Sequence, residues 1–187
     1  MVLVRKRSAC PATDSLRRLI RNSILQTRII QKALDRDFVR VRRSQIEGHG
    51  VFAKRKIPKG ARIIEYKGKR RALADLFTQR AGEKAARVYA FSLRADTVID
   101  GAIDGNESRF INHSCEPNCE AHTFDDKAYI YAMRDIVRGE ELTFDYQLRR
   151  ASGAARKKSD ESDYLCRCGS ENCRGTMLAR SRRGSKR

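Results

Sequence analysis

A chain of 187 residues has room for one ordinary domain with a buried core and short extensions, and not for two full domains. It carries 41 Lys and Arg against 23 Asp and Glu, a formal net charge of +18, so a polyanion or an acidic surface is the natural partner class. No apolar run reaches the roughly 18 residues of a membrane span, and six cysteines without a secretory signal fit a reducing, intracellular setting in which clustered thiols bind metal more often than they pair.

The charge excess sits at the ends. Residues 1–43 hold 12 Lys and Arg against 3 acids, 44–146 hold 17 against 16, and 147–187 hold 12 against 4. The expected organisation is a near-neutral body between two cationic arms, which either solvate the chain or contact nucleic acid. Asp14 or Ser15 is placed to cap an amphipathic helix running to about Asp35, with Leu16, Leu19, Ile20, Ile24 and Leu25 at helical spacing. The same Arg-rich opening fits a mitochondrial transit peptide, a reading that Asp14, Asp35 and Asp37 weaken.

From Phe38 the pattern changes to short alternating segments, 38–42, 50–53, 62–67, 89–93, 98–100, 120–124, 128–132 and 142–144, separated by Gly, Pro and Asp. Strands this short and numerous predict a mostly β fold of several small sheets. The stretch 73–87 is the one helical pattern inside it. Residues 56–60 and 133–141 form a related pair of turns, each leading a strand. The segment 147–163 is polar and reads as a connector, and 179–187 is too polar to pack.

Four motifs carry chemistry. Arg109 to Cys119 puts an arginine, amides, an imidazole and two thiols into eleven residues. A segment built only to fill a core would avoid them, because each buried polar atom without a partner costs roughly 1–3 kcal/mol. Gly48-His49-Gly50 precedes it, Glu140-Glu141-Leu142-Thr143-Phe144-Asp145-Tyr146 follows it, and Cys166, Cys168 and Cys173 come last. Three thiols around the turn at Gly169 want a fourth ligand for structural zinc. Cys115 and Cys119 both remain open for that position, and Cys10 belongs to no cluster.

Together and in this order, these motifs resemble the SET-domain protein-lysine methyltransferases with a post-SET zinc segment, over about Val39 to Leu178. The resemblance implies a fold of small curved sheets with a pseudoknot, in which 109–115 passes beneath the loop formed by 141–146. The expected units are a basic, helical N-terminal arm (1–37), a SET domain with a short inserted helix (38–146), a connector (147–165), a post-SET zinc segment (166–178) and a basic tail (179–187). It implies S-adenosylmethionine and zinc as cofactors. Gly48, His49, Gly50, Tyr66, Arg109, Asn112 and His113 would hold the methyl donor, although His49 itself is expected to be exposed. Tyr146 would carry catalysis, Tyr89 and Phe144 would line the lysine channel, and Cys115, Cys166, Cys168 and Cys173 would ligate zinc. Arg109 is expected to pair with Asp145. Lys69 stands where the family usually has Glu after Tyr-x-Gly, which removes an ion pair there. Phe144, lacking a hydroxyl to anchor a water, implies di- or trimethyllysine as product.

The resemblance further implies a histone or similar basic protein as substrate, while the cationic ends imply contact with DNA or chromatin and the lack of a long apolar run implies no membrane. The expected location is the nucleus in a eukaryote, or the cytoplasm and nucleoid in a bacterium. The rival expectation is a chromatin or nucleic-acid binding protein that keeps the scaffold without turnover.

Overall fold

The computed structural model describes residues 38–79, 89–148 and 164–179, with the backbone alone for 77–79. The expected N-terminal helix, most of the connector, Cys10 and the basic tail lie outside the described residues, as does the part of the expected helix beyond Gln79. Among the described residues no helix is long and apolar enough to cross a membrane.

Among the described residues ten strands form two sheets. The larger runs β1 (Val39–Arg43), β2 (His49–Ala53), β10 (Glu141–Phe144), β8 (Cys119–Phe124), β9 (Lys127–Ala132) and β3 (Arg62–Tyr66), with β7 (Asn112–His113) also pairing β10. The smaller orders β4 (Lys69–Ala72), β6 (Thr97–Asp100) and β5 (Ala90–Ser92). Helix α1 (Leu73–Gln79) buries Leu76, and a 3-10 turn spans Glu107–Phe110. All eight expected strands are present within a residue or two. β4 and β7 were not expected: Lys-Arg-Arg-Ala shows no apolar alternation, and a two-residue strand has no period to detect.

Alternation explains most of the large sheet. In β9, Ala128, Ile130 and Ala132 are buried while Tyr129 and Tyr131 are half-buried on the other face. β3 breaks the rule by burying both Ile63 and Ile64, and its register against β9 shifts between Arg62 and Ile64, as a bulge does when it turns two neighbours inward. β10 buries Leu142, Thr143 and Phe144 in succession because it is central, with β2 on one edge and β7 and β8 on the other.

The two related turns meet each other. Ile57 and Ile136 exchange both backbone hydrogen bonds at 2.9 Å, and both side chains are fully buried. Gly60 N donates to Ala132 O and Gly139 N donates to Ala53 O, each at 2.8 Å, so each turn closes on the strand that precedes the other. This exchange ties both turns, and the strands β3 and β10 that they lead, to one core built on Val51, Ile57, Ile63, Ile111, Ile130, Ile136 and Leu142. The smaller sheet reaches that core through Phe91, whose ring lies 5.2 Å from Tyr66 and 6.4 Å from Phe144.

Candidate active site and metal centre

The segment 111–119 and the segment 140–146 are bonded together along their lengths. Thr143 pairs with Asn112 and Phe144 with His113 in parallel register. Asn118 extends this pairing with its side chain. Its Nδ2 donates to Glu140 Oε1 at 2.8 Å and to Glu141 O at 2.7 Å, and its Oδ1 accepts Thr143 N at 2.9 Å. A buried amide with every polar atom used behaves like an added strand residue.

Asn112 ties this pair to the Gly48–Gly50 turn. Its Nδ2 lies 3.0 Å from His49 O, 2.9 Å from Glu141 Oε1 and 3.1 Å from Ser44 Oγ, and Ser44 Oγ donates back to the Glu141 carboxylate at 2.8 Å. The same carboxylate explains Gly50: a Cβ there would come 2.1 Å from Glu141 Oε1. The bareness of Gly50 is therefore required by a protein carboxylate, independently of any ligand. The His49 side chain is exposed, with its ring 5.8 Å from that of Phe110.

Tyr146 lies just past β10. Its hydroxyl donates to Ile111 O at 2.8 Å and its amide donates to His113 Nδ1 at 3.1 Å. Burial, reinforced by Tyr66, Tyr89 and Glu141, pushes its phenol well above the usual tyrosine range, so it stays neutral. Its ring is 4.9 Å from Phe144 and 5.3 Å from His113. With Phe91 and Tyr66 these rings form one continuous aromatic wall. Phe144 and Tyr146 share a side, as period-two spacing anticipated. Tyr66 donates to Tyr89 O at 2.8 Å, and its own phenol is pushed up by burial and by Asp100. Tyr89 packs edge-on to Phe110 at 5.8 Å.

His113 Nδ1 accepts the Tyr146 amide, so its 3.5 Å approach to Asp145 Oδ1 is not an ion pair. Burial lowers its pKa, with Arg174 acting in the same direction against Asp145, and the ring stays neutral.

The expected Arg109–Asp145 pair is not formed. Asp145 is held by both nitrogens of Arg174, at 2.9 and 2.7 Å, because the chain after Cys173 brings that guanidinium to it. Arg109 instead donates to Gly101 O at 3.3 Å and stacks 4.6 Å from the Phe110 ring. Reading the sequence assigned no role to Arg174, Ser44 or Asn118. Arg174 carried one signal, its place directly after a metal-type cysteine.

Four thiols converge: the sulfurs of Cys115, Cys166, Cys168 and Cys173 lie within 4.8 Å of one another. Cys119 takes no part, since it is buried, bonded to Asn118 Oδ1, and its thiol is pushed up to about 12, chiefly by burial. A tetrahedron with zinc–sulfur arms of about 2.3 Å has its sulfurs about 3.8 Å apart, and Cys115 and Cys166 Sγ are 3.7 Å apart. Every sulfur also accepts a backbone N–H: Cys115 from Arg174, Cys166 from Cys168, Cys168 from Cys115 and Cys173 from Gly175. Burial pushes the Cys168 thiol up, but the Cys115 amide and Ser170 outweigh it and hold the thiol at about 5. Donors aimed at sulfur favour thiolates, so the site suits one tetrahedral zinc ion.

The profile of the family described as "SET domain" matches residues 48–147, more than half of the chain. The chain belongs to the SET-domain family. Among similar curated proteins, the histone-lysine N-methyltransferase trithorax of Drosophila virilis is 37% identical over 145 residues, covering 74% of this chain and 4% of that protein. Human histone-lysine N-methyltransferase 2B is 39% identical over 150 residues, covering 76% and 5%. The "Histone-lysine N-methyltransferase, H3 lysine-4 specific" of Chaetomium globosum is 38% identical over 146 residues, covering 74% and 13%. The chain thus spans a small fraction of the length of these relatives. Within the SET family frame, the four-thiol centre joins the segment from 164 onward to the middle of the domain through Cys115. Leu148 N to Met177 O (3.1 Å) and Ala179 N to Leu148 O (2.9 Å) continue the same junction.

Proposed function

We propose that this protein is a protein-lysine N-methyltransferase that uses S-adenosylmethionine and acts on histone H3 or a comparably basic chromatin protein. The observation that carries the reading is Tyr146. Its neutral, buried phenol is held by the Ile111 carbonyl within an aromatic wall, one residue from the Asp145–Arg174 pair and beside the Asn112–Gly48 turn. The substrate class rests on the names of the relatives, which are histone-lysine methyltransferases, one of them specific for H3 lysine 4. That class supports a location on chromatin.

The proposed roles follow from the chemistry of each group. When bound, S-adenosylmethionine supplies a methyl group on a sulfonium. The Gly48–Gly50 turn, with Asn112 fixed against it, His113, Tyr66 and Arg109 would hold the methyl donor. The pocket suits such a ligand because the turn is presented open while Glu141 and Ser44 stiffen it from behind. Tyr89 and Phe144 border an apolar channel that strips water from the incoming ammonium, lowers its pKa and lets it shed its proton before attack. Tyr146 positions the reacting groups and, being neutral, does not act as a base. Phe144 offers no hydroxyl to anchor a blocking water, so the product is di- or trimethyllysine.

Radiolabelled S-adenosylmethionine incubated with recombinant histone H3 tests the reading. Transfer is expected, with loss of at least a hundredfold in Tyr146→Phe while donor binding by calorimetry is kept. No label on histones or on a whole-cell extract from the wild-type chain overturns it. The basic ends, 1–37 and 179–187, are proposed to add affinity for chromatin. Trimming both should weaken DNA binding and leave peptide methylation intact, and unchanged DNA binding would make them solubilising only.

A further inference from the structure

The near-neutral charge total of the folded body hides a separation. Residues 39–62 hold eight Lys and Arg against Glu47 alone, whereas residues 95–126 hold eight acids against Arg109 alone. Three of the first group, Arg40, Arg42 and Arg43, lie on β1 at the end of the large sheet, and Lys54, Arg55 and Lys56 follow β2 directly. β1 pairs with β2 on one side, and its other edge has no strand partner among the described residues.

On this hairpin Val39, Val51 and Ala53 face the core, so alternation sends Arg40, Arg42 and Phe52 to the outer face. Arg42 lies 5.8 Å from the Phe52 ring centroid, and Arg55, just past β2, lies 4.4 Å from that of Phe38. A guanidinium stacked on a ring loses rotamer freedom and still presents N–H groups along its edge. Arg40 is half-buried with its Nε buried and unpartnered. Among the described residues none of Arg40, Arg42 and Arg55 forms an ion pair, and the one acid of the stretch, Glu47, is 3.7 Å from Arg167. Exposed Lys54 and Lys56 adjoin the three, Lys56 reaching Asp135.

We propose that the free end of the large sheet, with Arg40 and Arg42 on the outer face of the β1–β2 hairpin and Arg55 just past β2, binds the phosphate backbone of double-stranded DNA. Arginine edges pair bidentately with phosphate, and Arg40 and Arg42, two residues apart on a strand, are spaced about 6.6 Å along it, so each reaches a separate phosphate. β1 is also the strand into which residues 1–37 lead, and those carry nine further Lys and Arg against three acids. A membrane surface fits less well, because the face offers one half-buried ring, Phe52, already covered by Arg42, and nothing that inserts.

The test uses the full chain and a short DNA duplex of mixed sequence, with affinity measured across a salt series. Arg40→Gln/Arg42→Gln/Arg55→Gln is expected to reduce the slope of log K against log salt by about 2.7, three contacts at about 0.9 each. Arg42→Gln/Arg55→Gln should reduce it by about 1.8, and unchanged melting temperatures show that both variants are folded. A charge-matched control, Lys69→Gln/Lys127→Gln/Arg138→Gln, should leave the slope near the wild-type value. A wild-type slope in the triple variant, or an equal fall in the control, overturns the proposal. So does loss of binding to polyglutamate with DNA binding unchanged, which would assign the face to an acidic protein. The measurement reads binding alone, so it stands whether or not methyl transfer is found.

Discussion

Arg174→Ala should loosen the end of the post-SET segment beyond Cys173 from Leu148 without emptying the metal centre. The guanidinium makes two charge-assisted bonds to Asp145, at 2.9 and 2.7 Å, with side-chain exposures of 13% and 21%. A hydrogen bond to a charged group is worth about 1.5–3 kcal/mol net, and partial exposure draws the pair toward the lower end. Loss of about 2 kcal/mol corresponds to roughly a 30-fold fall in the equilibrium constant for docking that end. The backbone bonds that report docking are Leu148 N to Met177 O at 3.1 Å and Ala179 N to Leu148 O at 2.9 Å. Amide exchange at Leu148 and Ala179 should therefore accelerate by roughly 30-fold while amides of β9 are unaffected. Zinc content should stay at one per chain, since the four thiols are intact. Arg174→Lys should give an intermediate effect, because an ammonium keeps the charge and loses the two-point geometry. A double-mutant cycle with Asp145→Ala isolates the pair. A coupling energy under about 0.5 kcal/mol, with unaltered exchange at both amides, would refute the clamp.

Cys168→Ser should lower zinc retention and activity together while most of the β core keeps its circular dichroism, because the ligand set lies outside the large sheet; a metal-free Cys168→Ser chain with full activity refutes the coupling. Phe144→Tyr should move the product toward monomethyllysine, by up to roughly tenfold in relative rates for one anchored water, and identical product masses over a long time course would leave Phe144 as packing. Glu140 is raised by burial but held below its ordinary 4.5 by Arg134, Asn118 and the Val137 amide. Its folded pKa is depressed, so the stability it contributes is present above about pH 4.5 and is lost as pH falls through the folded value. Glu140→Gln should flatten the acid limb of a melting-temperature profile, and an unchanged limb would discount the network.

Much of this protein was legible in order along the chain. Period-two alternation located eight strands, since side-chain direction in a strand depends only on parity, and the spacing of Cys166, Cys168 and Cys173 announced a metal site. The Phe144–Tyr146 wall followed from the same parity, and the likeness of the Ile57 and Ile136 turns was visible before they proved to bond each other. What remained was decided by contacts across long separations. The choice of Cys115 over Cys119 depends on which thiol faces residues some fifty positions later, and both sit in one short motif. Asp145 takes Arg174 and not Arg109 for the same reason: local pattern shows that a carboxylate needs a partner, and only the path of the post-SET segment determines which cation arrives. Gly50 is bare because Glu141, from a distant strand, fills its Cβ position. The charge separation on the body is written in the sequence, but it becomes a surface only when β1 is placed at the end of the sheet with its arginines turned outward.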